Sequence, residues 1–233
     1  MKKTAIMQPY FFPYIGYWQL INAVDEFLVY DDVTYIKNGW INRNNILLGS
    51  KKHMMTLPTC GASSFMPINQ IRMNDSKKYN EKLLKTIEQA YKKAPYFNDI
   101  APMIKEAIFH SSDKIADAVY FSIQRISKYI GINTKLTLSS SLVKNDDLQG
   151  QDKVIHICKL LNTTNYINAI GGLELYDKES FAKKGISLHF LKSNKITYKQ
   201  FGRDFVPWLS IIDILMFNDI KTVRGYLNEF KLI

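Results

Sequence analysis

Two aspartates stand side by side at the end of an apolar run, Phe27-Leu-Val-Tyr30-Asp31-Asp32. Adjacent carboxylates at a strand end can orient an amine, accept a proton, or hold Mg²⁺ together with phosphate oxygens. Side chains alternate along a strand, so only one of the two can face inward, and a pair of turn aspartates would look the same. A second cluster, Lys37, Trp40, Asn42, Arg43 and Asn44, flanks Asn38-Gly39. Arginine offers a bidentate fork, asparagine both donor and acceptor, and tryptophan a stacking face, which suits a planar or phosphorylated group. A solvated hairpin with a half-buried Trp is the plainer alternative. Gly171-Gly172 follows Ile170, with Tyr176 and Asp177 after it. Glycines at a strand's carboxyl end let backbone N–H groups approach a phosphate or carboxylate; the pattern is neither Gly-x-Gly-x-x-Gly nor a Walker A, and a simple turn also accounts for it. A fourth stretch runs Gln200-Phe-Gly-Arg203-Asp-Phe-Val-Pro-Trp-Leu-Ser210-Ile-Ile-Asp213. Ser210 and Asp213 share one helical face near a helix start, where anions are favoured and where serine also serves as an ordinary cap.

These groups need a scaffold, and one segment dominates it. Gln8 to Ile21 packs two prolines, one glycine and six aromatics into fourteen residues directly after the apolar run Thr4–Met7. Proline fixes the backbone, glycine permits close approach, and large rings wall pockets. A strand that turns into such a bend and then into an apolar helix shapes a hollow at its carboxyl end, where ligands of open α/β sheets bind. An aromatic core segment after an edge strand is the competing reading. Parallel strands at 5–7 and 27–30 would put Gln8 and the acidic pair on one crevice.

The rest of the chain alternates. Strands are expected at 33–36 and 40–43, joined as a hairpin through Asn38-Gly39, and at 54–57. Residues 76–131 read as helices, with Pro102 near the start of one, Asp113 or a preceding Ser capping the next, and Gly131 ending it. Strands at 134–139, 165–170 and 186–191 alternate with helices at 151–161, 177–184 and 209–217, as in a parallel sheet. The fold expected is α/β, a mainly parallel sheet with flanking helices: residues 1–75 and 132–233 form the α/β domain and 76–131 a helical insert.

The net charge of +10 excludes little by itself, but its distribution does: +3 over residues 1–74, +3 over 75–131 and +4 over 132–233. No basic arm or cluster marks a nucleic-acid footprint, whereas spread positive charge suits a protein that attracts a small anionic molecule. Apolar runs are too short for a membrane span or a signal-peptide core, so a soluble cytoplasmic protein is expected. Cys60 and Cys158 offer no disulfide framework, and four scattered histidines give no zinc spacing; no metal site is expected.

Several motifs together resemble a known family. Met7-Gln-Pro-Tyr-Phe-Phe-Pro-Tyr-Ile-Gly-Tyr-Trp-Gln-Leu-Ile, Asp25-Glu-Phe, Asp31-Asp-Val, Trp40-Ile-Asn-Arg-Asn, Lys93-Ala-Pro, Gly171-Gly172, Tyr198-x-Gln200 and Pro207-Trp-Leu-Ser-Ile-Ile-Asp213 look like the WbqC-like family over almost the entire chain. The resemblance implies a bacterial protein of surface-polysaccharide (O-antigen) biosynthesis. It would form an amide between an amino acid such as glycine, or another acyl group, and a nucleotide-linked amino sugar, or else bind and scaffold such sugars without chemistry. Tyr14-Ile-Gly-Tyr17 is also similar to the H-x-G-H signature of adenylate-forming and nucleotidyl-transferring α/β enzymes, which implies a HUP/nucleotidyltransferase-like relation and use of ATP with Mg²⁺. Tyrosines replace both histidines here and can donate to phosphate without supplying positive charge, a deficit that Arg43 or Lys37 could make good. On this reading Asp31 or Asp32 orients or deprotonates the sugar amine, Arg43 and Lys37 hold phosphate or carboxylate, and Trp40 or Tyr14 stacks on a base or sugar. Gln8, Asn42 and Asn44 read hydroxyls, with Tyr17, Gly171, Gly172, Tyr176, Gln200, Ser210 and Asp213 as further binding positions. The oligomeric state is left open.

Overall fold

The computed structural model describes residues 1–74, 77–145, 147–202 and 204–233. The boundary expected between residues 75 and 76, and Arg203 of the Gln200–Asp213 stretch, lie outside these. A six-stranded sheet forms the centre, from β1 (Lys3–Met7), β2 (Glu26–Val29), β7 (Lys135–Leu138), β8 (Asn165–Ala169), β9 (Ser187–Ser193) and β10 (Phe230–Leu232). Its order is β10-β9-β8-β1-β2-β7, with every neighbouring pair parallel except β9 and β10. Counted along the chain, this is the doubly wound order 3-2-1-4-5-6, whose topological switch falls between β1 and β8. The switch is also where the sheet opens. β1 pairs with β2 from Thr4 through Met7, but with β8 only at Lys3–Asn165 and Thr4–Tyr166.

Period-two alternation sends side chains to two cores. Ala5, Phe27, Val29 and Ile167 join the larger one, whereas Ile6, Leu28 and Tyr166 join the smaller. The smaller core is closed by α5 (Gly150–Leu160) through Val154, Ile157 and Cys158, and by α6 (Lys178–Ala182) through Phe181. The larger is covered by α1 (Ile15–Asn22), α2 (Lys77–Tyr91), α3 (Phe97–Ile108), α4 (Ile115–Ile130), α7 (Ile211–Phe217) and α8 (Ile220–Tyr226). Leu83, Ile87 and Tyr91 of α2 therefore lie in the same continuous core as Trp18 and Phe27.

Local structure departs from the sequence expectation in three places. The hairpin is β3 (Arg43–Leu48) with β4 (Lys51–Thr56), turned at Gly49-Ser50, where both residues have positive φ. Such a two-residue turn matches the twist of its strands. Residues 33–35 instead bond to 66–68, through Tyr35 N–H to Met66 O and Ile68 N–H to Val33 O, so Asn38-Gly39 closes only a local turn. Pro102 sits inside α3, and α4 starts after Lys114 with no side-chain cap. Short β5 (Thr59–Cys60) and β6 (Arg72–Met73), together with α8 and β10, complete the fold.

Candidate functional site at the switch point

The aromatic bend leaves β1 at Gln8 and is pinned carbonyl by carbonyl. The Tyr17 hydroxyl donates to Gln8 O (2.9 Å) and the Trp18 indole N–H to Pro13 O (3.0 Å). Asn44 Nδ2 donates to both Phe11 O (3.1 Å) and Phe12 O (2.8 Å), and Ser210 Oγ adds a bond to Phe12 O (2.7 Å). Phe11 N–H in turn donates to Trp40 O (3.1 Å). This clamp holds Phe12 at φ 42°, a left-handed conformation that a bulky side chain adopts only when its surroundings enforce it. Three segments, 10–14, 40–45 and 207–211, thus converge on one bend.

Beside it, where β1 and β8 part, lies a crevice of about 500 Å³. Met7 comes from the end of β1, Gln8 and Tyr10 from the bend, and Tyr30, Val33 and Ile36 from the chain after β2. Asn168, Gly171, Gly172 and Tyr176 come from the end of β8 and the turn beyond it, and Gly150 and Val154 from α5. A Cβ on Gly172 would fall 2.4 Å from Asn168 Nδ2, so close packing requires glycine there; at Gly171 the same position meets open space. Asn168 is fixed by Ala169 N–H donating to its Oδ1 (2.8 Å). Tyr176 stands edge-on to Tyr166 and Phe181, and burial raises the pKa of its hydroxyl. Burial, then the neighbouring Tyr14, raises Tyr10 likewise, so both phenols stay neutral donors. The N-terminus of α5 opens at this crevice with Gln149 making no side-chain cap, which leaves first-turn N–H groups for an anion. Gln8 has no side-chain hydrogen bond within the described residues and is free to meet a ligand. The crevice therefore offers neutral donors and acceptors, backbone N–H groups and a ligand-sized volume.

Tyr10 also lines a second hollow of about 200 Å³, with Pro13, Tyr14, Trp40, Asn44 and Trp208. Of the positions singled out in the sequence, Gln8, Gly171, Gly172 and Tyr176 thus meet at the crevice, and Tyr14, Trp40 and Asn44 at the adjoining hollow. Most of the others hold the framework. Asp31 is buried and accepts from Ser140 N–H (2.9 Å) and Ser140 Oγ (2.6 Å), tying the end of β2 to the turn after β7. Asp32 pairs with Lys144, whose ammonium also donates to Ser139 O (2.6 Å). The acidic pair leaves Mg²⁺ a single uncommitted carboxylate oxygen, Asp32 Oδ1, and the described residues hold no group of three or more potential metal ligands. Mg²⁺ does not fit this pair as it stands.

Arg43 turns back on its own loop, donating to Gly39 O (2.9 Å), Asn38 Oδ1 (3.2 Å) and Asn38 O. Asn42 accepts from the Tyr35 hydroxyl and donates to Leu57 O, both at 2.9 Å. Lys37 is exposed and lines no described cavity, and Tyr17 lies buried behind the bend. Ser210 caps α7 while clasping Phe12. Asp213, also fully buried, accepts from the Tyr91 hydroxyl (2.8 Å), the Tyr198 hydroxyl (2.6 Å) and Gln200 Nε2 (2.7 Å). Its pKa is raised by burial, against the opposing pull of those three bonds. Tyr10, Asn168, Gly150 and Trp208 are among the lining residues that the sequence did not single out. Tyr10 and Trp208 lay within the aromatic motifs, whereas nothing in the sequence marks Asn168 or Gly150.

Fold and crevice define a mixed α/β protein, doubly wound, with a ligand-sized hollow at its switch point. A family model described as the WbqC-like protein family matches residues 8–225, and the chain belongs to that family. Among curated proteins it is similar to the uncharacterized protein Rv1507c of Mycobacterium tuberculosis (strain ATCC 25618 / H37Rv), 27% identical over 217 residues, which cover 92% of this chain and 93% of that protein. No solved structure matches the chain. The HUP/nucleotidyltransferase-like relation accordingly rests on the Tyr14–Tyr17 likeness alone. No helix among the described residues is long and apolar enough to cross a membrane.

Proposed function

We propose that the protein is an enzyme that binds a nucleotide-linked amino sugar in the switch-point crevice and joins an acyl group, an amino acid such as glycine among the candidates, to the sugar amine. The observation that carries this reading is the crevice itself. It lies where doubly wound sheets take nucleotides, and sets the uncapped start of α5 and the Gly171-Gly172 turn beside neutral hydrogen-bonding side chains. The diphosphate would sit on the helix start and glycine backbone, with Gln8, Tyr10, Asn168 and Tyr176 reading ring or base groups. Amide formation requires the amine to lose its proton, its nitrogen to bond to the acyl carbon, and the activating group to leave with its electron pair. Asp31 and Asp32 line neither hollow, and the one oxygen of the pair without a hydrogen bond among the described residues, Asp32 Oδ1, is buried, so the amine would pass its proton to solvent water in the crevice. The family resemblance supports a place in surface-polysaccharide (O-antigen) assembly, and the likeness of Tyr14-Ile-Gly-Tyr17 to adenylate-forming enzymes supports ATP as the source of activation.

The test is mass spectrometry of purified protein incubated with a UDP- or dTDP-linked amino sugar, glycine or another acid, and ATP with Mg²⁺. A product heavier by the acyl group, weakened in Gln8→Ala, is the expected result. The engagement of Asp31 by Ser140 and of Asp32 by Lys144 favours a second reading, a nucleotide-sugar binding or scaffolding protein. Tight UDP-sugar binding with no product under any donor would establish that one instead.

A further inference from the structure

A third cavity, of about 300 Å³, lies past the second hollow and shares Tyr14 and Trp208 with it. Since the second hollow shares Tyr10 with the crevice, the three form a series along the site. The walls of the third are Ile15, Ile196, Phe205, Pro207, Leu209 and Ile214, closed by the rings of Tyr14, Tyr198 and Trp208. Its polar side chains include those of Ser193, Asn194, Lys195, Thr197 and Tyr198, of which the Tyr198 hydroxyl donates to Asp213 and Asn194 Nδ2 to Glu229. At the rim stands Lys195, exposed and without an ion pair among the described residues.

Trp208 gives a second, independent sign. It is 67% exposed, meets Tyr14 edge-on at 5.9 Å between centroids, and holds φ 62°. A bulky residue in the left-handed region with its ring largely uncovered is poorly explained by packing, and such strain gathers at ligand clamps.

We propose that this cavity binds an apolar carboxylic acid, its aliphatic or aryl chain among the hydrophobic walls and its carboxylate on Lys195, as the second substrate beside the nucleotide sugar. The inference deepens the acyl-transfer reading and rests on it for the role of the bound acid. It also selects among acyl groups: glycine leaves the apolar walls bare, whereas a chain of several carbons covers them.

Isothermal titration of the purified chain with hexanoate, hexanamide, glycine and, separately, UDP tests this. Hexanoate should bind at least about tenfold tighter than hexanamide, and glycine should give no detectable heat. Lys195→Glu, a change at an exposed rim position that leaves the fold intact, should abolish the preference for hexanoate over hexanamide. Trp208→Ala should weaken both by roughly tenfold, and UDP affinity should stay within about twofold in both variants. Glycine binding as well as hexanoate, or hexanoate affinity unmoved by Lys195→Glu, would overturn the proposal. Failure of UDP to bind while hexanoate binds removes the crevice reading alone; the reverse result removes the acid site alone.

Discussion

Gln8 and Asp31 illustrate how far a residue's type falls short of its role. Both are polar and follow strands that lie side by side, yet the Gln8 side chain faces the crevice without a hydrogen-bond partner among the described residues while Asp31 is consumed by Ser140, 109 positions away. Gln8→Ala should therefore weaken UDP binding roughly tenfold and leave the melting temperature unchanged. Asp31→Ala should instead cost about 1–3 kcal/mol of stability, because it strips the acceptor from a part-buried N–H and hydroxyl; denaturant melts of the two variants separate the effects. Tyr14, Trp40, Gly171, Gly172 and Tyr176 were legible as candidates for lining because large rings wall pockets and glycines let the backbone approach a ligand, although cores and turns use the same residues. Arg43, Asn42 and Asp213 were not, since the sequence shows a donor or carboxylate but not the carbonyl or hydroxyl that occupies it.

Among elements, the parallel strands, α1 and α4 were readable from apolar periodicity and from Gly131, which ends α4 with φ 80°. The true hairpin was obscured because Asn44 and Asn45 interrupt the alternation of β3, the first of them buried for the sake of the bend. The Gly172 turn is set by contact, not by φ: Gly172→Ala should push Asn168 aside and lower UDP affinity by roughly tenfold while far-ultraviolet dichroism stays the same. At the opposite edge of the sheet, Glu26 of β2 joins Lys2 (2.6 Å) and Lys135 (2.9 Å), lacing three adjacent strands. Burial pushes its pKa up, but hydrogen bonds from Lys2, Lys135 and Thr137 outweigh this and hold it at about 2, below the ordinary 4.5. A depressed carboxylate stabilises the fold above the unfolded value and loses that contribution as pH falls towards the folded one. Urea midpoints should accordingly drop between pH 4.5 and 2, and Glu26→Gln should flatten that drop while lowering stability near neutrality. Asp213 acts with the opposite sign: its raised pKa favours the fold at low pH and gives up that advantage as pH rises.

For the whole molecule, the larger core joins the helices of residues 77–130 to the sheet through Leu83, Ile87, Trp18 and Phe27. Calorimetry should therefore record a single transition in which both parts melt together, and two resolved peaks would show that this core does not couple them. Charge at this scale is spread and gave no site, which is why the sequence located the crevice by its rings and glycines. The clasp of Ser210 on Phe12 spans 198 positions, and Gln19 is anchored to Glu229 O across 210. A nascent chain emerging from the ribosome consequently cannot lock its aromatic bend until Ser210, 198 positions beyond Phe12, has been synthesised. Loss of residues 210–229 would then disable a pocket whose opening motif lies at residues 8–21.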